Sequence, residues 1–253
     1  MTFEIAKLAI DYILEHEEDF KEDSVVWDFI GGEPFLEIDL IDRICDYLKM
    51  EMFRRDHRWF NSYRFSFSTN GLNYHTDKVQ RFIEKNKEHL SIGITIDGTK
   101  QKHDLNRIYK KAEGEKERGS YEDVVRNIPL WLEQFPHAGT KVTISSTDIP
   151  YIKESVLHLF SLGIHEVNIN CVFEDVWKDG DDILFEAQLF ELADAIIDEG
   201  WYKDYVCSFF SEMIGKPLDP KRDNQNWCGA GRMLAVDAAG NFYPCTRFAG
   251  YSL

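Results

Sequence analysis

The sequence predicts an α/β fold made of parallel βα units, arranged either as a barrel or as an open doubly wound sheet. Two observations predict it. Apolar residues switch repeatedly between the helical period and the strand period. Small and polar residues also collect directly after the predicted strands. The helices are expected at 5–13, 36–48, 77–88, 124–132, 152–162 and from 185 onward, and the strands at 25–30, 63–68, 92–96, 141–145 and 167–171.

The first predicted helix should bury a face formed by Ile5, Leu8, Ala9, Tyr12 and Ile13, which recur at the spacing of one helical side. The second helix has a stripe of leucine and isoleucine from Leu36 to Leu48, and the last one a stripe from Phe185 to Ile196. Because the chain begins on a helix, the strand that should precede it is absent. A parallel barrel does not ordinarily begin in this way.

Size and composition limit the classes of function. The 253 residues, 43% hydrophobic, are enough for one large α/β domain over 1–200 with a smaller part over 201–253, which we expect to consist of a connecting helix and the start of a cysteine-containing extension. The formal charge of −16 argues against nucleic acid and against an anionic membrane as partners. No apolar run or leader pattern indicates a membrane span or a signal peptide, so a cytoplasmic protein is expected.

Five cysteines in a chain of this kind indicate free thiols or metal ligands and not a disulfide framework. We expect Cys45, Cys171 and Cys207 to be buried thiols. Gly240-Asn241 separates two apolar alternating runs, which predicts a β-hairpin. Such a hairpin would bring Cys228 and Cys245 together. Two thiolates suit zinc or an iron–sulfur cluster, although two ligands complete neither.

The ends of the predicted strands are the other candidate site. They carry Gly31-Gly32-Glu33-Pro34, Thr69-Asn70-Gly71 and Asp97-Gly98, with Ser145-Ser146-Thr147 and Asn170–Glu174 further along. In parallel α/β folds the carboxyl ends of the strands converge on the ligand. Glycine, asparagine and aspartate also form ordinary turns. Glu33 after two glycines is harder to explain as a turn, since glycines permit close approach and a carboxylate accepts hydrogen bonds from an ammonium group.

These residues resemble a known family. Gly31-Gly32-Glu33-Pro34 is similar to the glycine–glycine–glutamate motif of radical S-adenosylmethionine (SAM) enzymes, and Ser68–Gly71 and Thr95–Gly98 stand where that family has its next two motifs. His103-Asp104-Leu105-Asn106-Arg107 and Gly119-Ser120-Tyr121 continue the order. The tail from Cys228 to Cys245 resembles the start of the SPASM extension, which binds auxiliary clusters in peptide- and protein-modifying members. The resemblance covers nearly the whole chain.

The resemblance implies a partial (βα)6 TIM-like barrel that lacks its first strand and ends in the beginning of a SPASM hairpin. It also implies a [4Fe–4S] cluster that cleaves SAM reductively to a 5′-deoxyadenosyl radical, which abstracts hydrogen from a ribosomally made peptide or a protein. A flavodoxin or ferredoxin would supply the electron. The cofactor provides the difficult chemistry and the protein orients it.

The implied cofactor-binding residues are those of the strand-end motifs. Gly31, Gly32 and Glu33 would bind the methionyl ammonium, Thr69 and Thr95 would lie near the ribose and methionyl part, and Asn70 and Asp97 belong to the same motifs. Arg107 would pair with the cofactor's carboxylate, for which its guanidinium fork is suited. Cys228 and Cys245 would bind metal in an auxiliary [4Fe–4S] cluster.

Two departures from the family pattern matter. No Cys-x3-Cys-x2-Cys loop precedes Gly31, so we expect the chain to be part of a longer protein and to be inactive alone. Sulfatase-maturing relatives have aspartate after the cysteine that corresponds to Cys245, whereas this chain has Thr246. Peptide maturation is therefore favoured over sulfatase maturation.

Two alternatives stay open at this point. The chain could be a non-catalytic remnant that binds SAM or a peptide. It could also be an ordinary α/β-barrel lyase or hydrolase that uses Glu33, Asp97 and His103 as acid–base groups. The second alternative leaves the cysteine tail without an explanation.

Overall fold

The computed structural model describes residues 1–110, 117–211, 214 and 233–249. In these ranges, α-helices and strands largely alternate over the first 210 residues, as the sequence predicted. The helices are α1 Phe3–Glu15, α2 Ile38–Arg54, α3 Asp77–Asn86, α4 Lys100–Asn106, α5 Tyr121–Val125, α6 Ile128–Gln134, α7 Ile152–Ser161 and α8 Asp181–Asp198. The strands are β1 Val25–Phe29, β2 Tyr63–Thr69, β3 Leu90–Ile94, β4 Gly139–Ile144, β5 Glu166–Cys171, β6 Val206–Cys207, β7 Ala235–Val236 and β8 Phe242–Tyr243. No helix among the described residues is long and apolar enough to cross a membrane.

The chain divides into two compact units. Unit 1 comprises 1–27, 37–65 and 215–253, and unit 2 comprises 28–36 and 66–214. The boundary falls within β1 and β2, and unit 1 takes residues from both sides of position 200. The predicted domain boundary at 200 stays a prediction. Residues 201–211 form short 3-10 turns and β6, and the predicted connecting helix stays a prediction.

The strands form two three-stranded sheets and a hairpin. The first sheet has the order β1-β2-β3 and the second the order β4-β5-β6. The second sheet is parallel, with Gly139 opposite Glu166 and Ile144 opposite Cys171 in β4 and β5. No closed barrel is found in the described part of the chain, so the fold class is confirmed as α/β with parallel strands and the partial barrel stays a prediction.

Strands β3 and β4 are connected through a side chain. The buried Thr140 hydroxyl donates to the carbonyl of Ile94 at 2.7 Å and accepts from the amide of Ile96 at 3.1 Å. A β-carbon at Gly93 would lie 3.3 Å from the carbonyl oxygen of Gly139, so the two backbones run close together. One threonine therefore satisfies backbone groups between the two sheets, where buried groups left unpaired would be costly.

Apolar side chains on the strands face the helices and form the core of unit 2. Alternate residues of β2, β3, β4 and β5 are buried, as period-two strands with one covered face require. The buried set is Phe67, Ile92, Ile94, Val142, Ile144, Val167 and Ile169, with Trp131 and Val156 among the helix residues over them. The residues between them on the same strands are small or polar, and these form the other face.

Two predicted helix faces are wrong in detail. In α1 the buried residues are Ala6, Ala9, Ile10, Ile13 and Leu14, whereas Leu8 is 69% exposed. Tyr12, predicted on the buried face, is 48% exposed and contacts the β7–β8 hairpin instead, with the Tyr12 and Phe242 rings 5.2 Å apart. In α2, which begins only at Ile38, the predicted stripe residue Leu36 is 70% exposed in the preceding 3-10 turn.

Helix α8 and the 124–132 segment also differ from prediction. Only Leu192 and Ile196 of α8 are buried, and Phe185 and Leu189 line an open apolar cavity of about 880 Å³ instead. The segment predicted as one helix forms two, α5 and α6. They are interrupted at Asn127, whose side chain amide donates to the carbonyls of Gly71 and Asp123.

Candidate functional site

The carboxylate of Glu33 joins the loop after β1 to the end of β2. Its Oε1 accepts hydrogen bonds from the Thr69 hydroxyl at 2.6 Å and from the Phe35 amide at 3.0 Å. Its Oε2 accepts from the Asn70 amide at 2.7 Å. A carboxylate has about four acceptor positions. Glu33 therefore ties two strand ends together and keeps acceptor capacity on Oε2 for one more donor.

Gly31 and Gly32 leave open space beside this carboxylate. Gly31 has a φ of +137°, a conformation that favours glycine, and both residues are exposed. A β-carbon at either position would meet no heavy atom of the described residues within 4 Å. The backbone of this loop is thus accessible to a ligand on the side that a side chain would otherwise fill.

The end of β3 lies beside the end of β2, at the same edge of the sheet as the loop after β1. The Thr95 amide donates to the Thr69 carbonyl at 2.8 Å, which aligns the ends of β2 and β3. Thr95 also lines a cavity of about 520 Å³ whose walls include the small polar faces of β2 to β5. Its lining runs along the strands through Ser66, Ser68, Gly93 and Lys141 and reaches the amino ends of β3 and β4 at Leu90 and at 134–139. A cavity of this volume is within the usual range for small-ligand sites, roughly 300–1,000 Å³.

Asp97 and Arg107 form an ion pair next to that edge. The Arg107 Nε and Nη2 atoms donate to the two carboxylate oxygens of Asp97, with Nη2 at 3.4 Å. Asp97 also accepts from the Thr143 amide at 3.1 Å, and its side chain is 3% exposed. Arg107 is 30% exposed, and no described residue accepts from its Nη1. Its outer N–H edge is therefore free to bind an anionic group.

This ion pair is part of a closed ring of hydrogen bonds. The Asp97 amide donates to His103 Nδ1 at 3.2 Å, so that nitrogen carries no proton, and His103 Nε2 lies 3.0 Å from the Ser120 hydroxyl. That hydroxyl donates to the Arg107 carbonyl at 2.9 Å. Ser120 must then accept from His103, which fixes the neutral Nε2–H tautomer. Burial lowers the pKa of His103 to about 4, in agreement with a neutral ring.

We expect the free energy of unfolding to decrease as the pH is lowered, because of His103. Its pKa is about 4 in the folded chain, below its ordinary value of 6.5, so the unfolded chain binds more protons between these values. The contribution of the neutral His103 ring to stability is complete above pH 6.5 and is lost as the pH falls below that value. Between pH 7 and pH 5 the loss should be about 2 kcal/mol. Urea unfolding at both pH values, for the unaltered chain and for His103→Gln, measures it, and an equal pH dependence in both chains would contradict it.

Three residues of this site had not been predicted from the sequence: Ser120 as a partner of His103, and the buried pair Lys102 and Asp148. Lys102 Nζ lies 3.3 Å from Asp148 Oδ1 and donates to the Thr143 carbonyl at 2.7 Å. Asp148 accepts from the amide and hydroxyl of Ser145. Only the Ser145-x-x-Asp148 spacing, typical of a capping box, is a local signal.

The cysteines do not form a cluster in the described part of the chain, where no three metal-binding side chains come together. Cys45 and Cys207 are buried, as predicted, and burial raises the pKa of Cys207 to about 11. Cys171 is half-buried instead. The hairpin predicted at Gly240-Asn241 is confirmed as β7–β8. Cys245 follows it, and Cys228 lies outside the described residues, so the predicted metal pair stays a prediction.

No protein-family profile matches the chain. An uncharacterized protein of Methanocaldococcus jannaschii, MJ0907, is 26% identical over 258 residues, which cover the whole chain and 77% of that protein.

Two solved structures are similar over nearly the whole chain. Native anSMEcpe with bound AdoMet and Kp18Cys peptide has a TM-score of 0.66 at 18% identity, over 97% of this chain and 66% of that one. Streptococcus suis SuiB bound to precursor peptide SuiA has a TM-score of 0.61 at 14% identity, over 98% and 54%. This chain therefore spans about half to two thirds of the length of these structures.

Proposed function

We propose that this chain, which has a radical SAM maturase-like fold, binds S-adenosylmethionine at the carboxyl ends of β1, β2 and β3. The observation that carries the proposal is that hydrogen-bond acceptors and hydrogen-bond donors lie at the same edge of the strands. Glu33 and the open Gly31-Gly32 backbone offer acceptors, and Arg107 offers free N–H donors. An α-amino acid group, with its ammonium and its carboxylate, is complementary to that arrangement.

The residues have separate roles in this proposal. The Gly31-Gly32 backbone and Glu33 accept from the ammonium, and Arg107 donates to the carboxylate. Thr69 and Thr95 lie at the strand ends near the ribose and methionyl part. Asn70 supplies an amide to Glu33, and its own Oδ1 accepts from the Leu72 amide at 2.9 Å. Asp97 is buried and orients Arg107, so it acts on the cofactor through that side chain.

For the whole protein we propose radical modification of a ribosomally made peptide, started by reductive cleavage of SAM with an electron from a flavodoxin or ferredoxin. The similar structures of anSMEcpe with bound AdoMet and Kp18Cys peptide and of SuiB bound to precursor peptide SuiA support the choice of cofactor and substrate class. The [4Fe–4S] cluster that supplies this chemistry does not fit the cysteines of the chain. None of the five follows the Cys-x3-Cys-x2-Cys spacing, so this chain contributes cofactor binding and orientation.

The 253-residue chain is expected to bind SAM and not to cleave it. Calorimetric titration under anaerobic conditions should show saturable binding, and dithionite after iron and sulfide reconstitution should yield no 5′-deoxyadenosine. The physical reason is that electron delivery needs a cluster at the bound cofactor, for which the chain lacks the cysteine loop. Formation of 5′-deoxyadenosine by this chain would contradict the division of roles. Failure to bind SAM would contradict the proposed site.

A further inference from the structure

We propose that His103 and Ser120 are positioning residues, which set the direction in which Arg107 presents its free N–H edge to the carboxylate of the bound ligand. The inference rests on the proposed function and deepens it, because it concerns two buried side chains that the ligand does not touch. Both are nearly inaccessible: His103 is 0% exposed and Ser120 is 7% exposed.

The ring of hydrogen bonds is closed, and each of its donors is determined. It runs from the Asp97 amide to His103, from His103 to Ser120, from the Ser120 hydroxyl to the Arg107 carbonyl, and from the Arg107 guanidinium back to the Asp97 carboxylate. Asp97 precedes α4, and Arg107 is the C-cap residue directly after it. The ring therefore fixes the chain at both ends of this short helix.

Ser120 holds the backbone of Arg107 with two bonds. Its amide donates to the Arg107 carbonyl at 3.0 Å and its hydroxyl donates to the same oxygen at 2.9 Å. Asp97 holds the Nε side of the guanidinium. A long side chain fixed at its backbone and at Nε has only the outer Nη edge left for a ligand, in one direction. Such preorganisation lowers the entropy cost of binding.

A purely structural role would have a different signature. If the ring served only to stabilise the fold, its loss would weaken every ligand of the site equally. If it positions Arg107, its loss affects only ligands that have a carboxylate for Arg107 to bind. Decarboxylated S-adenosylmethionine, which keeps the ammonium, the sulfonium and the adenosine, separates the two cases.

The experiment is calorimetric titration of the 253-residue chain with each of the two ligands. Ser120→Ala should weaken SAM binding about tenfold, the usual cost of one lost hydrogen bond, and change binding of the decarboxylated ligand less than about twofold. His103→Asn keeps an acceptor for the Asp97 amide and removes the link to Ser120, so it should give the same pattern. Arg107→Gln should show the same pattern more strongly. Adding Ser120→Ala to Arg107→Gln should cause no further loss of affinity.

Ser155→Ala is the matched control, because its hydroxyl is also buried but has no hydrogen-bond partner among the described residues. It should leave both affinities unchanged. Equal weakening of both ligands in Ser120→Ala, or additive losses in the double variant, would overturn the positioning role while leaving the proposed function intact. No SAM binding by the unaltered chain would overturn the proposed function, and this inference with it.

Discussion

Replacing Asp148 with alanine is expected to lower the free energy of unfolding by about 3–5 kcal/mol, the range found when one partner of a buried ion pair is removed. Lys102 and Asp148 are 1% and 2% exposed, and the variant would leave the Lys102 ammonium with the Thr143 carbonyl as its remaining partner. It would also remove the acceptor for the amide and hydroxyl of Ser145. Urea unfolding followed by circular dichroism measures the change.

The chain contains a matched control for this variant. Lys153 and Glu191 also form an ion pair at 3.3 Å, but their side chains are 36% and 55% exposed. Glu191→Ala should cost at most about 1 kcal/mol, because water screens an exposed pair and solvates the charge that is left. A cost for Asp148→Ala as small as that for Glu191→Ala would contradict the argument from burial.

A second variant tests the cause of the loss. If the penalty comes from an unpaired buried ammonium, then Lys102→Met added to Asp148→Ala should recover part of the lost stability, because the remaining charge is removed. A further loss would show instead that the packing of Lys102 dominates. The result bears on the ligand site, because the helix that carries Lys102 also carries His103 and leads directly into Arg107.

The sequence predicted best what depends on neighbouring residues. Periodicity located the strands because alternate side chains of β2 to β5 are buried against helices. Turn chemistry located the β7–β8 hairpin, where Gly240 has a φ of +91°. The parallel α/β pattern predicted that the strand ends after β1 and β2 would meet, and Glu33 does contact Thr69 and Asn70.

What depended on distant contacts could not be predicted in the same way. Tyr12 is 48% exposed and its ring contacts Phe242 of the hairpin, 230 residues further along, and helical periodicity contains no information about such a contact. Ser120 is separated from its partner His103 by 17 residues, and Thr143 from Asp97 by 46. A serine or a backbone amide has no distinctive local pattern, so only the folded chain identifies these partners.

The ligand site itself should depend most on Glu33. We expect Glu33→Gln to weaken SAM binding about a hundredfold or more, which corresponds to about 2.7 kcal/mol. Three donors converge on this carboxylate: the Thr69 hydroxyl, the Asn70 amide and the Phe35 amide. A neutral amide has one oxygen for them and places its own NH2 group against at least one donor. Each unsatisfied buried donor costs about 1–3 kcal/mol.

The variant would also remove the negative charge that faces the ligand's ammonium, and charge-assisted hydrogen bonds are about twice as strong as neutral ones. The Thr69 hydroxyl and the Asn70 amide bond to different oxygens of Glu33, so the glutamine would lose at least one of the bonds that hold the Gly31-Gly32 loop at the end of β2. Calorimetric titration measures the affinity, and thermal unfolding shows whether the variant is folded.

Glu37→Gln makes the same chemical change at the exposed last residue of the adjoining 3-10 turn. It should leave the affinity within about twofold, since an exposed carboxylate is solvated in either state. Equal, small effects of the two glutamine variants would mean that the ligand binds away from the end of β1. A folded Glu33→Gln chain that no longer binds SAM, beside a Glu37→Gln chain that does, would place the ammonium at Glu33, the carboxylate that joins the loop after β1 to the end of β2.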